Sequence, residues 1–519
     1  MSNDPSDAFG RRSKWGCTIK RFDRQTLALA LAAFVLTLIC GSVIAFSLPA
    51  GAGLDEPMHV ARVEQISEGM FLPVRVSSEG LDTTLVSPSS DEYDLYGGET
   101  DAALYELMVT GNLSFYDEDG HQLYDFPTWD DPALASDGVM GEASVTWLFP
   151  NTAVNSPLSY LPQVVGYLLA TLFSADPLIV ILTMRLCGVL AYAVGSLLCI
   201  LLLPVGRRLF GLVAVLPQSV AASAVVSADS MSFVFASILV ASIVRMLWCE
   251  SVGRGTWVAL AISTLCLCLA KTTYVPFGLL LPMLPLLRRD FRTPRRLVVV
   301  GVIGTVSLLA FVLWYLRVAG VNTGVMWSSK IEPDEQLRLV LQDPCAFLGA
   351  ALSTLLKTDV LALSSATPYS GNVSSASWIV VIALLLAFAP EVLELERRRV
   401  DGRVSVGLAA GLAALSALIV LLIYLAMYLQ FTPLGNEVVK GVQTRYFTPL
   451  VFPMLLALAL LLRPRHPEGT NLAPARLDGG DPSDGNRTFV SYPLLPTILG
   501  LVLVAALTTT TCLLAVHVM

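Results

Sequence analysis

The sequence predicts an all-α polytopic membrane protein of about eleven transmembrane helices, with a large extracytoplasmic loop after the first span. Three observations predict it. Of the 519 residues, 55% are apolar and only 14% charged, against about 25% charged in a typical soluble domain. Apolar runs of membrane length recur along the chain, and about 20 helical residues cross a bilayer's hydrocarbon core. Basic residues cluster between those runs, which is the signature of cytoplasmic loops.

Residues 1–25 read as a cytoplasmic tail, because Arg11, Arg12, Lys14, Lys20, Arg21 and Arg24 lie there. Span 26–48 follows. It is too long for a signal-peptide core and lacks a convincing small-residue cleavage site. Residues 49–156 form the large outer loop, holding 20 of the chain's 41 acids. Inside it, 57–68 reads as a short interfacial helix. Pro57 suits its first position, Glu56 its cap and Gly69 its stop, while His59, Val63, Ile66 and Met70 line one mostly apolar face. A second short helix is expected at 101–110. The stretch 157–173 opens with Pro157 and is interrupted by Pro162 and Gly166, so it reads as interfacial or re-entrant, and whether it crosses stays open.

Further spans are expected at 178–203, 210–227, 230–249, 256–270, 274–287, 297–319, 376–393, 404–430, 446–462 and 491–515. With 157–173 left out, the clusters Arg207-Arg208, Arg288 to Arg296, Arg397 to Arg403, and Arg463 with Arg465 all fall inside. The N-terminus is then inside and the C-terminus outside. The membrane domain covers 26–462, with a second outer loop at 320–375. Residues 463–490, rich in Pro, Gly, Asp, Asn and Arg, read as a cytoplasmic linker before the final helix within 491–519.

The net charge of −8 is therefore an outer-face property, and no basic footprint for nucleic acid is present. The nine cysteines lie mostly in spans, where they read as small packing residues rather than a disulfide or zinc framework. Asn112 and Asn372 head acceptor sequons by pattern only. Walker A, GxGxxG, HExxH and nucleophile-elbow motifs are missing from the sequence.

The residues that could carry chemistry lie at the outer ends of spans. Asp55 and Glu56 sit at the start of the 57–68 helix, where the macrodipole favours ionised carboxylates. They suit either a base for an acceptor hydroxyl or simple helix capping. His59, one turn on from Asp55, allows an Asp-His metal pair or a polar edge on a packed helix. Arg185 lies inside a span, where a charge marks function or pairing with an acid such as Asp176. Asp229 occupies a tight outer turn, as a cap or a second site acid. Lys271, near Tyr274, and Arg445, between Gln443 and Tyr446, are cations at the outer boundary. They read as phosphate ligands or as snorkelling side chains.

Five ordered motifs carry a resemblance. They are Asp55-Glu56-Pro57-x-His59 with Arg62 and Gln65 to Gly69; Asn155-Ser156-Pro157-Leu158-Ser159-Tyr160-Leu161-Pro162-Gln163; Leu216-Pro217-Gln218 leading to Ser227-Ala228-Asp229; Ala270-Lys271-x-x-Tyr274-x-Pro276; and Gly441-x-Gln443-x-Arg445-Tyr446-Phe447-x-Pro449. Together, over roughly 30–460, they resemble a bacterial membrane family, domain of unknown function 2142, related to the GT-C glycosyltransferase superfamily. That superfamily includes the protein O-mannosyltransferases and the lipid A aminoarabinose transferases. The resemblance implies a GT-C-like fold with interfacial helices in the first outer loop, a catalytic acid there, and a polyprenyl-phosphate-linked sugar as donor. It places Asp55, or its neighbour Glu56, at the acidic position, and Lys271 and Arg445 near the lipid phosphate. Thr272-Thr273 depart from the Pro or Gly that relatives often carry after the lysine.

The expected function is transfer of a sugar from a polyprenyl-phosphate donor to a glycan, lipid or protein acceptor on the outer face of a bacterial plasma membrane. Asp55 and Glu56 are the catalytic candidates; His59, Arg185, Asp229, Lys271, Tyr274, Gln443, Arg445 and Tyr446 are the substrate-binding ones. No metal ligand set and no cofactor is assigned, with a divalent metal left open. The rival expectations are a transporter or flippase of lipid-linked glycans and a surface-glycan polymerase or ligase. Polymerases usually place their large outer loop late in the chain, whereas here it comes first and is acidic.

Overall fold

The computed structural model describes residues 23–53, 55–86, 88, 94–113, 138–249, 251–321, 331–357, 377–397, 401–463 and 494–517. The expectations for the tail before residue 23, the linker 464–490 and the Asn372 sequon lie outside the described residues.

Helix α1 (Arg24–Ser47) starts where the Asp23 carboxylate accepts the Thr26 N–H at 2.6 Å, satisfying one of the helix's orphan donors. After a short turn comes α2 (Glu56–Ser67), which carries Pro in its first turn. The first loop then holds β1 (Val74–Arg75), β2 (Tyr96–Asp101), α3 (Ala102–Leu113), β3 (Ser144–Leu148) and α4 (Pro150–Ala153). The strands form an antiparallel sheet in the order β1-β2-β3, with Gly97 opposite Leu148. The expected all-α fold is thus mostly helical, with this small sheet added in the loop. Gly97 makes it feasible: a Cβ there would come within 2.0 Å of the Trp147 carbonyl oxygen. Trp147 in turn packs on Tyr105 and Phe149, giving the loop its own buried cluster.

A 3₁₀ turn, Pro157–Tyr160, leads into α5 (Leu161–Thr171), whose 11 residues are too few to cross a bilayer as a helix. The bundle continues with α6 (Pro177–Leu202), α7 (Arg207–Ala214), α8 (Pro217–Ala224), α9 (Asp229–Trp248) and α10 (Arg254–Ala270). After a 3₁₀ stretch, Thr272–Leu280, come α11 (Met283–Leu287), α12 (Pro294–Val318), α13 (Pro333–Gln342) and α14 (Pro344–Lys357). The last four helices are α15 (Ser377–Arg397), α16 (Gly402–Gln430), α17 (Thr448–Leu462) and α18 (Leu495–His517).

Among the described residues, six helices are long and apolar enough to cross a membrane: α1, α6, α9, α12, α16, and α17 together with the preceding turn from Thr444. A seventh is reached only if α13 and α14, bent by 107°, count as one. Prolines break two of the expected runs. The run 210–227 breaks into α7 and α8 at Leu216-Pro217. The run 274–287 carries Pro276 within a 3₁₀ stretch and Pro282 ahead of α11.

The central core lies among α6, α7, α9, α16 and α17. Phe210 stacks on Phe233 at 5.9 Å and meets Phe452 edge-on at 5.2 Å. α9 is largely buried, while α12 exposes Val298, Val302, Leu308, Leu313 and Leu316, the apolar surface expected of a lipid-facing helix. The end of the bundle where α1 and α10 finish and α9 and α17 begin carries the candidate residues.

Candidate functional site

Between α1 and α2 the chain reverses through Pro49–Gly53 and reaches Asp55 at φ 57°, ψ 15°. Asp55 is the one non-glycine residue with positive φ among the described residues. Left-handed backbone costs an L-residue roughly 1–2 kcal/mol and is borne best by Asn and Asp. Such strain persists only where the surroundings impose it.

Here they do so through the next residue. Glu56 and Arg185 are both fully buried and form a two-pronged ion pair, Nε to Oε1 at 2.8 Å and Nη2 to Oε2 at 2.6 Å. The same guanidinium donates to the carbonyls of Ala45 (3.0 Å), Leu48 (2.6 Å) and Pro49 (2.8 Å). Glu56 also accepts the N–H of Gly53 at 3.1 Å and of Val226 at 2.9 Å. One buried pair thus ties the end of α1, the turn, α6 and the approach to α9 together. Asp176, the acid considered as a partner for Arg185, instead caps its own helix by accepting the Leu178 N–H. Glu56 and Arg185 are sealed away from any ligand; their geometry is that of a clamp.

Asp55, by contrast, keeps 23% of its side chain exposed. Arg445, in the 3₁₀ turn before α17, donates to Asp55 and lies 3.4 Å from Asp229. Asp229, at the start of α9, also pairs with Lys271 at the end of α10. Acids and cations therefore alternate in a chain, Asp55–Arg445–Asp229–Lys271, drawn from four separate elements. Tyr446 lies under both cations, 5.0 Å from Lys271 Nζ and 5.5 Å from the Arg445 guanidinium. Buried Tyr274 donates its hydroxyl to the Tyr446 carbonyl at 2.9 Å, fixing that turn. Gln443, one residue before the turn, has a buried Oε1 with no hydrogen-bond partner among the described residues.

His59 faces the same cluster, since the charges of Arg445, Asp55, Asp229 and Lys271 all act on its ring. Burial, reinforced by Arg445, pushes its pKa down to about 4, so the imidazole is neutral. Its Nδ1 is held by Tyr160. Asn155 Nδ2 donates to the Tyr160 oxygen at 3.1 Å, and Tyr160 sits 2.6 Å from His59 Nδ1. We read the Tyr160 hydroxyl as the donor to Nδ1, which puts the His59 proton on Nε2. Tyr160 and Asn155 were legible only as part of the second motif; nothing in their spacing marks them as partners of His59.

The structure therefore brings Asp55, His59, Asp229, Lys271, Arg445 and Tyr446 together, with Tyr274 and Gln443 at the edge, and sets Glu56 and Arg185 beneath. Among the described residues, no three of His, Cys, Asp and Glu are grouped so as to hold a metal ion.

A family model described as "Predicted membrane protein (DUF2142)" matches residues 38–454. The chain belongs to that family. The match takes in α2, the 155–163 segment, the turn into α9, the end of α10 and the turn before α17, so every member of the charged chain lies within it. No curated protein matches the sequence and no solved structure matches it. As a family member the chain is a membrane protein with several apolar helices.

Proposed function

We propose that this membrane protein is a GT-C-type glycosyltransferase that moves a sugar from a polyprenyl-phosphate donor to an acceptor hydroxyl at the outer face of the bacterial plasma membrane. The observation that carries the reading is the open chain Asp55–Arg445–Asp229–Lys271, held on a strained backbone at the ends of apolar helices. In the reaction, the acceptor oxygen bonds to the anomeric carbon while the bond from that carbon to the phosphate oxygen breaks. The electron pair leaves with the phosphate, and the hydroxyl proton passes to Asp55.

The site's chemistry supports each role. An ammonium has three N–H donors, so Lys271 can keep Asp229 and still take a phosphate oxygen. Arg445 touches both the acid and the second carboxylate, and turning it toward a departing phosphate frees Asp55 to take the proton. Neutral His59 offers an Nε2–H to a substrate oxygen, and Gln443 Oε1 is an acceptor without a protein partner among the described residues.

The topology of this reading has eleven crossings, the N-terminus inside and the C-terminus outside. The bundle end opposite the site supports that orientation. There, Arg245 and Arg288 bond to helix-end carbonyls of Leu202, Met246 and Cys249, and Arg289, Arg292, Arg295 and Arg296 lie close by in sequence.

The test is Asp55→Asn in the reconstituted full-length protein. Asn tolerates the left-handed backbone, so the fold and donor binding should persist. Turnover should fall by about 10²–10⁴-fold, as for loss of a general base. Unchanged turnover would remove Asp55 as the base, and no glycosyl transfer by the parent protein from a bound polyprenyl-phosphate donor would sink the transferase reading in favour of carriage of a lipid-linked glycan.

A further inference from the structure

A second site lies beside the charged chain. Helices α13 and α14 meet at 107° and, with the end of α16 and the segment 435–438, enclose a half-open cavity of about 610 Å³. This is within the range of small-molecule sites, about 300–1,000 Å³. Its walls are fixed. Asp343 caps α14 by accepting the N–H groups of Cys345 and Ala346 at 3.1 Å. Gln336 accepts the Gly435 N–H at 3.0 Å, and Thr354 accepts the Val439 N–H at 2.9 Å, pinning the loop to both helices.

The cavity is also tied to the proposed reaction centre. Phe347 packs on Tyr428 at 5.4 Å, and Tyr424 of the same apolar cluster meets Phe447 at 6.0 Å. Phe447 is two residues from Arg445. From Val438 to Arg445 there are seven residues, which span at most about 25 Å when extended.

We propose that this cavity binds a neutral saccharide segment of the acceptor, an assignment that rests on the transferase reading. Its lining decides the class of ligand. Gln342, Ser353 and the Asn436 amide nitrogen supply donors and acceptors over an aromatic floor of Phe347 and Tyr428, whose hydroxyl already donates to the Asn436 carbonyl at 3.3 Å. Hydroxyls meet the polar groups and the C–H face of a sugar meets the rings. Lys357 stands against two acids, Asp343 and Glu437, so the site has no cation excess and does not suit a second phosphate. Among the described residues, no strand edge lines it to extend a peptide.

Gly349 provides the means of testing this. It lines the cavity, and a Cβ added there meets nothing within 4 Å, so a side chain can be introduced at this wall without displacing backbone, and Gly349→Trp is the variant used to obstruct the space. Neutral linear tetrasaccharides of differing linkage are titrated onto the full-length protein in nanodiscs and followed by saturation-transfer NMR. At least one should bind, with its saturation-transfer signal abolished by Gly349→Trp and its affinity weakened about tenfold by Asn436→Ala, the worth of one or two hydrogen bonds. The acceptor KM should rise in step while the donor KM stays unchanged. Equal tetrasaccharide binding in Gly349→Trp, or displacement of the sugar by a neutral tetrapeptide at the same concentration, would overturn the assignment. Binding is measured in the Asp55→Asn background too. Sugar bound by the parent with no glycosyl transfer from the polyprenyl-phosphate donor defeats the transferase reading and leaves the saccharide site standing.

Discussion

Two carboxylates adjacent in sequence have opposite fates. Glu56 is enclosed with Arg185 among backbone N–H groups and carbonyls, while Asp55 reaches a half-open chain of charges with Arg445, Asp229 and Lys271. The first arrangement satisfies every prong of its guanidinium with protein atoms, so it can only hold. The second leaves two members partly exposed, Asp55 at 23% and Lys271 at 20%, so it can trade a protein partner for a ligand. A buried pair with full hydrogen bonding is a clamp, and a partly solvated one is a site. The left-handed backbone at Asp55 is the joint between them, since the clamp on Glu56 sets where its neighbour points.

The most damaging way to break this contrast is to remove one side of the clamp. Arg185→Met leaves Glu56 buried without its cation, and breaking a buried pair costs about 3–5 kcal/mol. Thermal unfolding in detergent micelles should show a large drop in midpoint, or no folded protein. A midpoint like that of the parent would mean the pair holds little together.

A smaller effect comes from a third carboxylate in the same helix, one that has burial but no cation. Glu64 is buried, accepts the Asp101 N–H at 3.1 Å and the Tyr167 hydroxyl at 3.2 Å through Oε1, and leaves Oε2 without a hydrogen bond among the described residues. Burial first, then the nearby Asp101 and Glu68 charges, raises its pKa to about 7, against the backbone hydrogen bond that lowers it. The folded state therefore holds this proton more tightly than the unfolded chain does, and stability falls as pH rises from about 4.5 to about 7. Glu64→Gln should match the parent at pH 4.5 and unfold at a higher temperature at pH 7.5. Equal midpoints at both values would show that Glu64 is ionised in the fold.

His59 has the opposite sign. Its pKa is depressed to about 4, so its contribution is complete above about 6.5 and is lost as pH falls toward 4. The smallest expected effect concerns its tautomer. Tyr160→Phe removes the donor to Nδ1 and costs about 1 kcal/mol, the worth of one hydrogen bond. Nitrogen-15 NMR of the imidazole should show the proton on Nε2 in the parent and a mixture of tautomers in the variant. The same spectrum in both would dissociate Tyr160 from the site.

Membrane class, apolar helices, the short helix after the first span and the motifs around Asp55, Asp229, Lys271 and Arg445 were all legible in the sequence. Hydropathy, proline placement and local caps are short-range properties that act within a turn or two of chain. The small sheet was not legible, because its pairing of 96–101 with 144–148 joins strands some 40 residues apart. Nor was the division of labour between Asp55 and Glu56, which differ by one methylene and one position. That division depends on Arg185, 129 residues away, and only the packing of α6 against α1 delivers the arginine to one acid and withholds it from the other. The same holds for Arg445, which meets Asp55 across a sequence separation of 390. Burial decides which charges become structural and which stay exchangeable, and burial is a property of the packed bundle rather than of any segment in it.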